Sequence, residues 1–211
     1  MKDQPVIIFG AGGLGKATLD IFQSNGVIVY CFLDDDEALH NTEINEVSVV
    51  GSTEDQGYLK FIGKKCDAFV AINDREVRKS YFKLLNERRK VMPTNALHQQ
   101  ATISANAYLS YGIFANAGVV VSSFAKVEQG CILHTNAAID YEATLGKFVR
   151  VGAGSVIHAG AEIEDDVFIG AGVTIAGPVK VGKGARVGAG SVVIESVAAG
   201  ATVFGNPAKP I

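Results

Sequence analysis

The stretch Val151-Gly152-Ala153-Gly154-Ser155-Val156-Ile157-His158-Ala159-Gly160-Ala161-Glu162-Ile163 carries an aliphatic residue at every sixth position, and the step continues in both directions. Upstream it runs without an insertion through Leu145, Ile139, Leu133, Val127, Val121, Ala115 and Leu109 to Ile103. Downstream it runs through Ile169, Ile175, Val181 and Val187 to Val193. Fifteen of these sixteen positions are Ile, Leu or Val, so chance is no competitor. Four residues later in the repeat the side chain is small or apolar, as at Ala125, Cys131, Ala137, Ala143, Val149, Ser155 and Ala161. A helix needs apolar spacing near 3.6 and a half-buried strand needs spacing of two, so a strict six predicts short strands turning repeated corners. One such rung cannot bury its apolar side alone and becomes stable only when rungs above and below cover it. The Gly-Ala-Gly triplets at 152–154, 170–172 and 188–190 share one phase of the repeat, where a missing Cβ permits the dihedrals of a corner. An ordinary β-sandwich would instead show turn signals about every 8 to 12 residues with drifting phase.

Before Ile103 the period changes. Strand-like Val6 to Phe9, a helical stretch near Lys16 to Ser24, strand-like Val27 to Leu33, strand-like Ala68 to Ile72 and a helix through Arg75 to Arg89 follow in order. Alternation of this kind predicts a βαβ unit on a parallel sheet. The helical pattern stops at Pro93, which places a Rossmann-like α/β domain at residues 1–98 and an all-β parallel β-helix at 99–211. His40 and the segment Asp36 to Thr53 read as a surface loop. Arg88-Arg89-Lys90, with Arg75, Arg78 and Lys79, reads as the wet side of an amphipathic helix whose inner side carries Val77, Tyr81, Leu84 and Leu85.

The 211 residues hold 24 glycines and no Trp, which argues against a plain helical bundle. With 19 Lys and Arg against 22 Asp and Glu the net charge is −3, so no global positive field gathers phosphates and nucleic acid is not an expected partner. No apolar run approaches the roughly 18 residues that span a bilayer, and the N-terminus enters a strand at once, so neither a membrane span nor a signal peptide is expected. Cys31, Cys66 and Cys131 are odd in number and sit in apolar surroundings, which suits reduced thiols in a cytoplasm better than a disulfide framework or a zinc site. No metal is expected.

Gly10-x-Gly12-x-x-Gly15 follows a strand and opens a helix, so its backbone can approach a phosphate and offer it N–H groups at the positive helix end. Asp34, Asp35 and Asp36 end the second strand, where a carboxylate can accept hydrogen bonds from ribose hydroxyls. The other reading of the same residues is structural: glycines that let strand and helix pack tightly, and aspartates that cap the next turn.

Five motifs in this order, GAGGLGK at 10–16, FLDDD at 32–36, AINDREVR at 71–78, LHQQATIS at 97–104 and GNPAKPI at 205–211, together with the six-residue repeat, resemble the hexapeptide-repeat acyltransferases. The resemblance covers nearly the whole chain. The subgroup it points to comprises bacterial sugar acetyltransferases: the nucleotide-aminosugar N-acetyltransferases of bacillosamine and perosamine synthesis, and the sialic acid O-acetyltransferases. It implies a left-handed β-helix with three walls and eighteen residues per coil. It also implies a homotrimer, acetyl-CoA as co-substrate in the groove between neighbouring β-helices, and a sugar or nucleotide-sugar held partly by the N-terminal domain. On the resemblance, a uridine-type nucleotide-sugar lies along Gly12 and Gly13 with Asp34 and Asp35 near the nucleoside and Asn73 beside the sugar. Arg150, Ala159, Ala171, Pro207 and Lys209 would serve acetyl-CoA, the tail 205–209 packing beside the adenine end. The alternative for the tail is a turn that ends the last coil.

In the resembling enzymes a His followed by a carboxylate acts as base, in a segment matching Ile139-Asp140-Tyr141-Glu142-Ala143. Here Tyr141 stands at the His position while Glu142 remains, and two further family histidines are replaced by Leu14 and Arg150. A tyrosine with a pKa near about 10 is a poor base at neutral pH, and Glu142 beside it raises that value further. Transfer could instead use His158, which lies one coil above Asp140 and would hydrogen-bond its carboxylate, or His134, which stacks between Asn116 and Gly152. The alternative for both is a solvated corner histidine. It could also rely on proximity alone, since an aminosugar arrives partly unprotonated, with the N–H of Ala159 holding the oxyanion. Arg150 would pair with a CoA phosphate or a sugar carboxylate, or else with Glu142 or Asp166 at the surface. The expected activity is acetyl transfer to a sugar, most simply a nucleotide-linked aminosugar of surface polysaccharide synthesis. The rivals are a trimeric sugar- and CoA-binding homologue without the base, and a dinucleotide-dependent enzyme using the glycine loop.

Overall fold

In the N-terminal unit the apolar run Val6–Phe9 (β1) is buried at all four positions and is an interior strand of a five-stranded sheet. The computed structural model describes residues 4–211. Parallel neighbours flank β1: Val29–Leu33 (β2) on one side and Asp67–Val70 (β5) on the other. Beyond β2 lies Val47–Gly51 (β4), also parallel, and at the edge Glu43–Ile44 (β3) pairs antiparallel with β4. Strands buried on both faces read as continuous apolar runs, which is the pattern of β1 and of Ala68-Phe69-Val70. Helix α1 (Gly13–Ser24) covers the sheet with Leu14, Thr18, Leu19, Ile21 and Phe22, and Phe22 meets Phe69 edge-on with 6.0 Å between ring centres. A short helix α2 (Gln56–Leu59) and helix α3 (Arg75–Leu84) complete the unit.

Three expectations are corrected in this unit. Residues 36–53 are not a loop, since they contain a 3-10 turn at Glu37–Leu39 and the strands β3 and β4, with Val49 fully buried. Helix α3 ends at Leu84 and gives way to a π-helical turn at Leu85–Arg89 that Lys90 closes in the left-handed conformation. On α3 itself Val77 is 43% exposed, whereas Arg78, expected on the wet side, is 2% exposed. The Arg78 guanidinium donates to the carbonyls of Ile72 at 2.7 Å and Asn73 at 3.2 Å, which turns the charge inward.

The chain divides at Gln99 and Gln100 into two compact units, and the second, Gln100–Ile211, is a three-walled parallel β-helix. Its first wall stacks Thr102–Ile103, Val120–Val121, Ala138–Ile139, Val156–Ile157, Thr174–Ile175 and Val192–Val193 in register. The second wall stacks Tyr108–Leu109 through Lys180–Val181, and the third stacks Phe114–Ala115 through Arg186–Val187. Partners lie eighteen residues apart in these stacks, and only the last coil is shorter, Arg186 pairing with Thr202 sixteen residues on. The six-step residues point inward, and Leu133, Val151 and Ile169 stack with no exposure.

Glycines take two separate jobs at the corners. Gly154, Gly172 and Gly190 have φ of +68°, +66° and +71° with open space where a Cβ would stand. Gly152 and Gly170 instead lack room, because a Cβ would run into the backbone of the next coil. The tail 205–209 holds the turn of an antiparallel hairpin, Thr202–Gly205 with Ala208–Pro210, that follows the last coil on the third wall. Cys31, Cys66 and Cys131 are all free and buried, and burial pushes the Cys31 thiol up to about 12.

Candidate functional site

The carboxyl ends of β1, β2 and β5 open into a cleft of about 290 Å³ that gathers Gly10, Gly12, Leu14, Asp34, Asp35, Thr53, Ala71, Ile72, Asn73 and Val77. In open parallel α/β sheets this is where ligands bind. Gly10 has φ +98° and a Cβ there would meet the Ala71 carbonyl, while a Cβ on Gly15 would strike the Gly10 carbonyl. These two glycines therefore serve tight packing. Gly12 is different, since it lines the cleft and nothing lies within 4 Å of the place a Cβ would take, so the helix end stays open to a ligand. Gly13 begins α1 but is not part of the cleft lining.

Both aspartates are tied into the protein. Asp34 accepts the Ala11 N–H at 2.6 Å through one oxygen and the Asp36 N–H at 2.9 Å through the other, so it fastens the glycine loop to the end of β2. Asp35 accepts the Thr53 N–H at 2.9 Å and the Thr53 hydroxyl at 2.7 Å on one oxygen, and the Tyr81 hydroxyl at 3.0 Å on the other. Burial pushes the Asp35 carboxyl up, but the Thr53 and Tyr81 hydrogen bonds and the nearby His40 outweigh it and hold the group below the ordinary value. Asp36 caps the following 3-10 turn through the Ala38 N–H. The sequence reading gives Tyr81 only as an inner residue of its helix and Thr53 only as the end of a loop, neither as a site residue. A tyrosine on the inner side of an amphipathic helix was the available signal, because a buried phenol needs a polar partner.

The second group of residues lies on one corner of the β-helix, between the first and second walls. Three rungs stack there: Ser122-Ser123-Phe124, then Asp140-Tyr141-Glu142, then His158-Ala159-Gly160. The expected hydrogen bond between His158 and Asp140 is not formed. The Asp140 carboxylate instead accepts the N–H of Tyr141 at 2.8 Å, an Asx contact within its own rung, and the His158 side chain stands exposed above it. Tyr141 is 54% exposed, and Glu142 is exposed with φ +57°. The Ala159 N–H has no protein acceptor among the described residues and remains a free donor on this corner.

His134 and Arg150 belong to another part of the helix, the third wall and its far corner. His134 stacks in register with Asn116 and Gly152, as expected, and is half-buried with its ring 6.3 Å from that of Phe114. Burial, and then the charge of Arg150, push its imidazole below the ordinary value. Arg150 is itself half-buried and its guanidinium is held below its usual value by desolvation. Ala171 is exposed at a corner two rungs above His134. Pro207 lies in the hairpin turn, and Lys209, expected to face a phosphate, has its ammonium 3.7 Å from the Glu195 carboxylate. Among the described residues no group of three or more His, Cys, Asp and Glu is placed to hold a metal ion, and no helix is long and apolar enough to cross a membrane.

Family models match both parts: the PglD N-terminal domain at residues 5–85 and the bacterial transferase hexapeptide repeats at residues 160–195. The second domain is accordingly a left-handed β-helix. Solved structures similar to this chain over nearly its whole length include PerB from Caulobacter crescentus with CoA and GDP-perosamine, at 28% identity, 98% and 97% coverage of the two chains and a TM-score of 0.86. The acetyltransferase domain of PglB from Neisseria gonorrhoeae, with acetyl coenzyme A, matches at 26% identity, 99% and 100% coverage and a TM-score of 0.88. WeeI from Acinetobacter baumannii matches at 26% identity, 98% and 99% coverage and a TM-score of 0.76.

Proposed function

We propose that the protein transfers an acetyl group from acetyl-CoA to a nucleotide-linked aminosugar in surface polysaccharide or glycan synthesis. The observation that carries this reading is the full-length likeness to an enzyme bound to CoA and GDP-perosamine, joined to a cleft whose open Gly12 lies at a helix N-terminus. The cleft would take the diphosphate along Gly12 and the nucleoside beside Asp34 and Asp35, which are fixed by their own protein hydrogen bonds and keep lone pairs for the ribose hydroxyls. Asn73 lines the same cleft, its loop held by Arg78.

Acetyl-CoA supplies the activated carbonyl. At the corner, the free Ala159 N–H would donate a hydrogen bond to the oxygen on which negative charge develops. The amine attacks as its unprotonated fraction, the nitrogen–carbon bond forms as the carbon–sulfur bond breaks, and the thiolate leaves. The proton released from nitrogen passes to exposed His158 or to water. Tyr141 stands where the resembling enzymes carry the base and does not replace it.

The protein works as a homotrimer on this reading. The outward residues of the first wall, Thr102, Val120, Ala138, Val156, Thr174 and Val192, carry no charge, whereas the second wall presents Lys126, Glu162 and Lys180. Buried free thiols suit a reducing cytoplasm. Release of CoA with a panel of uridine-, guanosine- and thymidine-diphosphate aminosugars tests the activity: turnover with at least one is expected, and none with any, despite CoA binding, overturns it. A binding protein without catalysis is the second reading, supported by Tyr141 standing where the resemblance implies a histidine base. Activity that appears only in Tyr141→His would support that second reading.

A further inference from the structure

The repeat puts one residue per corner at positive φ, and glycine fills most of these places. Asn136 and Asp166 are of the residue types that enter this conformation at least cost after glycine. Phe148 has a packing reason: it is 7% exposed and its ring lies over Gly130, where a Cβ would strike it. Phe124 has neither. Its φ is +60°, its ring is 62% exposed, and among the described residues it meets no other ring or cation. The backbone favours glycine there and the core gains nothing from an aromatic. An unexplained outlier of this kind points toward function.

Its surroundings say which function. Phe124 lies directly beneath Glu142, and Ser123 beneath Tyr141, because the Glu142 N–H donates to the Ser123 carbonyl and the flanking strands pair Val121 with Ile139 and Lys126 with Thr144. Two exposed rings, Phe124 and Tyr141, therefore occupy adjacent rungs of one corner beside the Asp140 and Glu142 carboxylates. An aromatic face attracts polarised C–H groups and ammonium groups, and carboxylates favour an amine. We propose that Phe124 and Tyr141 form a stacking platform for the apolar face of a deoxyaminosugar, with Asp140 and Glu142 turned toward its amine. The platform deepens the reading of this corner as the acceptor end of the site and rests on it. It also gives Tyr141 a role that needs its ring and not its hydroxyl.

Calorimetry with nucleotide-linked 4-amino-4,6-dideoxyhexoses of uridine, guanosine and thymidine, each beside its bare nucleoside diphosphate, tests the platform. The wild type should bind at least one sugar nucleotide more tightly than the matching diphosphate. In Phe124→Gly, which relaxes the backbone and should melt no lower, that advantage should fall about tenfold, the scale of one lost aromatic contact. Tyr141→Ala should lose as much, Tyr141→Phe should keep it, and diphosphate affinity should stay unchanged in all three. The platform is overturned if the wild type never prefers the sugar nucleotide, if Phe124→Gly leaves the preference intact, or if Tyr141→Phe abolishes it. A changed sedimentation coefficient in Phe124→Gly also overturns it, since the ring would then seat a second copy of the chain. CoA release is scored separately: a retained binding preference without any turnover defeats the transfer reading and leaves the platform standing.

Discussion

Removing a guanidinium from water costs several kcal/mol unless acceptors replace the lost hydration, and Arg78 finds them in the carbonyls of Ile72 and Asn73. Arg78→Met keeps the packing volume but strips both carbonyls of a donor, so we expect a loss of about 2 to 3 kcal/mol in urea denaturation, accompanied by weaker nucleotide binding as the Asn73 loop loosens. Tyr81→Phe removes one donor from partly exposed Asp35 and should cost about 1 kcal/mol, with normal heat signatures otherwise. His134 gives a pH test. Its folded imidazole titrates below its unfolded value of 6.5, so the folded state binds fewer protons and stability falls as pH drops below 6.5. Melting curves from pH 7.5 to 5 should show a steeper acid loss in the wild type than in His134→Gln, and parallel curves would refute the assignment. The sequence placed Arg78 outside because a charge at that phase of a helix is ordinarily solvated. Its partners are backbone carbonyls, which every residue has and no letter marks. Asp34 and Asp35 were legible as site residues, but their internal donors, Ala11 N–H, Thr53 and Tyr81, depend on which loops fold back over β2.

At the level of elements, the six-residue period was legible down to single residues, because inward positions repeat too regularly for any other arrangement and the observed pairs fall in that same phase. Strand β4 was missed for the opposite reason. Val47–Gly51 is short, ends in glycine and lies among polar residues, and it becomes a strand only because β2 offers an open edge beside it. The corner glycines divide by mechanism and so should their substitutions. Gly154→Ala meets no neighbour and should cost about 1 kcal/mol of backbone strain. Gly152→Ala keeps an ordinary φ but drives a methyl into Gly170 and Ala171 of the next coil, so we expect the larger loss, about 2 to 3 kcal/mol. Thermal unfolding of the two variants side by side checks the order, and equal losses would mean that the coils shift apart at little cost.

For the whole molecule, self-association is the measurable question. If the uncharged first wall meets other copies, Val156→Glu should bury a carboxylate without a partner and leave single protomers in sedimentation equilibrium, while Glu162→Gln on the second wall should not. A wild type that sediments as one chain would remove the trimer and the groove that depends on it. The stacking interval of eighteen residues has one more consequence. Excising or duplicating a complete turn of the prism leaves every later side chain facing as before, whereas losing one amino acid would swap lining for surface all the way to the hairpin. Whole storeys are thus the units by which such a protein is most readily lengthened or shortened, and the sixteen-residue storey is tolerated at the very top, where only the hairpin follows it.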